Sequence, residues 1–124
     1  MKNLLTLLLF FGVVTFAQAQ TEVTFAENSH SFGKIKQHVP VTHVFRFTNT
    51  SSRPVVIEKT DVECGCTTPE YPKGAIMKGK TSEIKVTYNA ENAGSFKKNV
   101  KVKFAGISYS FILTIDGEVL PEKK

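Results

Sequence analysis

From Phe96 to Phe104 the apolar residues return at every second position: Phe96, Val100, Val102 and Phe104 fall on one side, and Lys97, Asn99, Lys101 and Lys103 on the other. Only Lys98 interrupts the inward set. A period of two is the pattern of a strand with one buried and one wet face, and it excludes a helix over the same residues. Ile107 to Ile115 repeats it, with Ile107, Tyr109, Phe111, Leu113 and Ile115 expected inward and Ser108, Ser110 and Thr114 outward. Glu83 to Tyr88 does the same through Ile84, Val86 and Tyr88.

Upstream, Val41 to Asn49 sets Phe45 and Phe47 on one face, and Pro54 to Val62 puts Val55 with Ile57. Two shorter candidates, Glu22 to Ala26 and Ser31 to Ile35, come before them. Between the runs lie turn-forming clusters: Thr50-Ser51-Ser52-Arg53, Lys78-Gly79-Lys80, Asn92-Ala93-Gly94 and the single Gly106. No window carries a helical stripe, and no repeat, linker or low-complexity segment interrupts the pattern. About seven short strands with turns at near-regular spacing predict an all-β, immunoglobulin-like antiparallel sandwich, with a closed barrel as the alternative. The chain has no tryptophan and no distant cysteine pair, which argues against a true immunoglobulin domain with a bridge between its sheets.

The N-terminus reads as a secretory signal peptide. Met1-Lys2-Asn3 supplies a short positive start, Leu4 to Phe16 an apolar run, and Ala17-Gln18-Ala19 a small-x-small cleavage pattern. The expectation is a signal over residues 1–19 and a single domain over residues 20–124, beginning at Gln20 and located in the periplasm or outside the cell. No later segment reaches the roughly 20 apolar residues of a membrane-spanning helix. The absence of cysteine near the cleavage site disfavours a lipid anchor. Formal net charge is +5, or about +4 once Lys2 leaves with the signal; so small and dispersed a charge does not argue for nucleic acid.

Both cysteines fall in one short stretch, Cys64-Gly65-Cys66, closely followed by Pro69 and Pro72. In extended backbone, residues i and i+2 point the same way, so both thiols emerge on one side, and Gly65 allows the bend that brings the sulfurs together. Three readings stay open. The first is a local disulfide or a packed thiol pair, since an exported chain with an even cysteine count is usually oxidised. A bridge across one residue removes almost no loop entropy, so stability is a poor reason for it. The second is a thiol redox switch, with no helix start nearby to lower a thiol pKa. The third is a soft metal such as copper(I), held by Cys64 and Cys66 with His43 or Met77. His43 shares the parity of Phe45 and Phe47, which also suits a packed neighbour of the core.

Other constellations carry less chemistry. Glu58, Asp61, Glu63 and Glu70 scatter around the cysteine stretch and read as loop solvation rather than a paired acid site. Ser51 and Ser52 stand in no nucleophile elbow. Asn49-Thr50-Ser51 spells a glycosylation sequon, which a turn ending a strand explains without glycan. Lys97, Lys101 and Lys103 form a solvated row or edge protection, or a surface for an acidic partner.

The blocks "HSFGKI" (His30 to Ile35), "VFRFTNTSSRPVVI" (Val44 to Ile57), "CGCTTPEYP" (Cys64 to Pro72), "EIKVTYN" (Glu83 to Asn89) and "GSFKKNVKV" (Gly94 to Val102) together resemble a bacterial exported family, domain of unknown function 1573. The resemblance implies an immunoglobulin-like sandwich similar to pilus-chaperone and ciliary domains, and brings no activity with it. This chain has Lys78-Gly79 where the family usually has Pro-Gly. The expectation is a non-enzymatic envelope component without cofactor that binds a protein or a surface polymer. A thiol switch or copper(I) handler acting through Cys64 and Cys66 is the alternative.

Overall fold

The computed structural model describes residues 11–15 and 21–123. The signal cleavage pattern at Ala17–Ala19 and the expected start at Gln20 lie outside the described residues. Eight strands follow one another: β1 Val23–Phe25, β2 Ser29–Lys36, β3 Val41–Asn49, β4 Ile57–Val62, β5 Thr67–Glu70, β6 Thr81–Tyr88, β7 Gly94–Phe104 and β8 Ser110–Leu120. They form two four-stranded sheets, β1-β3-β6-β5 and β2-β8-β7-β4. Every pairing between strands is antiparallel except β2 with β8, which is parallel.

Alternation makes the core. Phe45, Phe47, Ile84 and Val86 point from the first sheet, and Val100, Val102, Phe104, Leu113, Ile115 and Val119 from the second; all are at most 1% exposed. Phe47 and Phe104 meet edge to face across the sheets at 5.6 Å. Burying each large apolar side chain stabilises the sandwich by about 1.5–3 kcal/mol, so strand register is fixed by the core.

Several details depart from the sequence reading. Tyr109, expected inward, is 43% exposed because it lies in the bend before β8 rather than in the strand. β8 continues past Asp116 and Gly117 to Leu120, with Val119 buried. β5 is an eighth strand, built from Thr67-Thr68-Pro69-Glu70, which has no alternation to reveal it. Proline is tolerated there because β5 is an edge strand. The turn glycines Gly79, Gly94 and Gly106 have φ of 75°, 116° and 77°, a region that disfavours side chains.

Candidate functional site

β4 closes one side of the second sheet and β5 the same side of the first, so the chain must cross between sheets from Val62 to Thr67. Cys64-Gly65-Cys66 is that crossover. The two sulfurs are paired, with Cα atoms 5.3 Å apart. Both cysteines are half-buried and Gly65 is exposed. Cys66 packs against the core, its carbonyl accepts from the Asn89 N–H at 2.9 Å, and Thr67 N–H reaches the Cys64 carbonyl at 3.4 Å. Glu63 ends the β4–β7 ladder from its side chain, where Oε1 accepts from the Asn99 N–H at 3.2 Å. Beneath the corner lies Tyr88, paired in register with Thr67 and stacked on Phe96 at 3.9 Å; burial pushes its phenol above the ordinary tyrosine pKa.

The residues considered with the cysteines do not join them. Met77 precedes β6, whereas the Cys66 bond to Asn89 lies just past that strand's other end, so about 25 Å of strand separates them. Met77 is 56% exposed. His43 does point inward, as its parity predicts, but its Nε2 is bonded to Glu27 Oε1 and its ring stacks on His30 at 3.6 Å and 6°. Phe32 and Phe45 meet the two imidazoles edge-on at 4.8 Å each. This stack links β2 to β3, tying the two sheets together on the side away from the cysteines. His30 escaped notice in the sequence; its shared parity with Phe32 was the available signal. Among the described residues, no group of three or more His, Cys, Asp or Glu side chains is gathered as a cation site.

Three of the acidic residues near the crossover are dispersed into surface pairs: Glu58 with the half-buried Lys103 at 3.5 Å, and, both partners exposed, Asp61 with Lys59 and Glu70 with Lys85 at 3.6 Å each. Pairs so exposed contribute at most about 1 kcal/mol. On the outer face, Val62 and Ile112 are 38% and 45% exposed and line a depression of about 330 Å³ with Asp61, Glu63, Asn99 and Lys101. A larger groove, about 580 Å³, runs between β1 and the start of β8. Phe25 and Phe111 lie along it with rings 5.2 Å apart.

Two open-edged sheets, a strand switch from β1 to β2 and a cysteine-bearing crossover define an immunoglobulin-like, PapD-like sandwich. The chain belongs to the family described as Protein of unknown function (DUF1573), whose profile matches residues 23–119. Among solved structures it is similar to the seventh ASH/PapD-like domain of human CEP192. The TM-score there is 0.66 at 9% identity, with 90% of this chain and 97% of that one covered. A protein of unknown function from Porphyromonas gingivalis W83 gives a TM-score of 0.68 at 11% identity, covering 82% of this chain and 50% of that one. The Vibrio cholerae VesB protease gives 0.64 at 12% identity, over 79% of this chain and 32% of that one. At these identities the shared property is the fold. No curated protein matches the chain in sequence.

Proposed function

We propose that the protein is a non-enzymatic, exported envelope module that works without a cofactor and binds another protein or a surface polymer through an exposed strand edge. The observation that carries this reading is the 580 Å³ groove, which opens along a sheet edge and is floored by aromatic rings. A depression beside a strand edge that holds two aromatic rings among polar groups fits recognition of an extended chain. The signal-like residues 1–19 support export, and no described helix is long and apolar enough to cross a membrane. Capture from an envelope fraction at modest salt is expected to enrich one defined partner over a sandwich of unrelated sequence. Repeated failure to enrich any partner overturns the reading.

The cysteine crossover favours a second reading, a thiol–disulfide switch, because the bridged pair is half-exposed at the corner joining two edge strands. Cys66→Ser leaves Cys64 as an unbridged thiol, and is then expected to abolish reversible reduction of the bridge by glutathione, and any copper(I) retention, while leaving the fold intact. Unchanged behaviour removes this alternative.

A further inference from the structure

β2 and β8 run parallel from Ser29 opposite Thr114 to Lys36 opposite Leu120, and upstream of Ser29 the chain swings across to β1 on the other sheet. The last backbone bond at that end runs from Thr114 N–H to the Asn28 carbonyl at 2.9 Å. Backbone groups along a strand alternate sides. The N–H and C=O of Ile112 and Ser110 therefore point the same way as those of Thr114, towards the place β2 has vacated. Among the described residues, no backbone group bonds them on that side. β7 pairs β8 on its other side over the whole stretch, so the segment is held rigid as a half-finished ladder.

We propose that the Ser110–Ile112 edge of β8 accepts an extended peptide as an added strand, with apolar side chains facing inward and acidic side chains facing outward. The proposal rests on the reading of the protein as a binding module and names its edge and its ligand. An extended backbone is the ligand chemistry that supplies alternating carbonyls and amides at strand spacing. Inward, such a strand meets the paired rings of Phe25 and Phe111 in the groove. Glu27 also lines the groove, but its carboxylate is engaged by His43. Outward, the neighbours are the exposed Ile112, then Lys101 directly across it on β7, and beyond Lys101, one strand further away on β4, Asp61. Lys103 is paired with Glu58, but Lys101 has no ion-pair partner among the described residues. Two strand spacings place Lys101 roughly 10 Å from the added strand, within one Debye length in dilute buffer. Acidic outward residues are favoured on that account, and their contribution should fall with salt.

The probe is a short end-capped synthetic peptide alternating valine and glutamate. Its controls are the valine–lysine counterpart and the same valine–glutamate peptide methylated along its backbone nitrogens. Titrated into the intact protein, the first is expected to saturate and to slow amide exchange at Ser110 and Ile112, the methylated control to bind at least about tenfold more weakly, and the valine–lysine control about threefold more weakly at low salt. Ile112→Pro removes an N–H that takes no part in the β7 ladder and is expected to weaken binding by a similar factor. If that variant fails to fold, the methylated peptide applies the same test to unaltered protein. Failure of the valine–glutamate peptide to bind, equal binding of the methylated peptide, or protection elsewhere than β8 overturns the proposal. If folded Ile112→Pro still captures the envelope partner, this edge is wrong and the module reading stands; if unaltered protein captures no partner, the module reading itself falls.

Discussion

Asn49 is fully buried, and the hydrogen bonds of its amide build the turn that follows β3 and tie it to Ile76 in the segment before β6. Its Nδ2 donates to the carbonyls of Arg53 and Ile76 at 2.7 and 2.9 Å, while its Oδ1 accepts from the Ser51 N–H at 3.0 Å and the Ser51 hydroxyl at 2.6 Å. A buried amide so engaged has no nitrogen free for a glycan, so the sequon is a folding element. Asn49→Ala is expected to destabilise by about 2–3 kcal/mol, because it strands buried polar groups, and Asn49→Asp by at least as much, because it deletes both donors and buries a charge. Urea denaturation measures both. Glycines divide in the same way. At Gly117 a Cβ would lie 2.8 Å from the Gly33 carbonyl and 2.9 Å from the Phe96 ring, whereas at Gly65 it would meet nothing within 4 Å. Gly117→Ala is expected to cost about 1–3 kcal/mol and Gly65→Ala less than about 0.5 kcal/mol. The alternating pattern gave no hint that glycine matters more in β8 than between the cysteines.

At the scale of elements, Gly117 and the β2 irregularity are one device. The β2–β8 register shifts between Ser31 and Lys34, where Gly33 takes a φ of 68°, and the bulge presses its carbonyl against Gly117. It re-seats the strand so that Ile35 meets Val119 in the core. The crossover is a second device, and its position in the chain explains what its bridge does. Closing a loop of one residue constrains the unfolded chain very little, so replacing both cysteines with alanine is expected to shift stability by less than about 1 kcal/mol. Alkylation of the native protein without reduction should add no alkyl group and leave a mass two hydrogens light. Two alkyl groups would show free thiols and contradict the bridged crossover.

For the whole molecule, Tyr88 links packing at the cysteine corner to pH. Its folded pKa is raised by burial, so the neutral phenol is the form that folding favours. The stabilisation is complete below the unfolded value of about 10 and is lost as pH rises through the higher folded value. Wild type should therefore lose stability above about pH 10 faster than Tyr88→Phe, a difference readable in denaturation midpoints; parallel curves would contradict it. The alternation of Phe96–Phe104, Glu83–Tyr88 and Val41–Asn49 determined the all-β class and most of the core, because burial of one face is a local property of a strand. It also determined the inward turn of His43. Which strand lies beside which was decided only by the tertiary structure. That arrangement made Thr67–Glu70 an edge strand, put Cys64-Gly65-Cys66 at a crossover far from Met77, and stacked His43 on His30. It also left the start of β8 open where β1 parts from β2. Each of these depends on contacts between residues distant in sequence, and a period-two pattern fixes the face of a strand without fixing its neighbour.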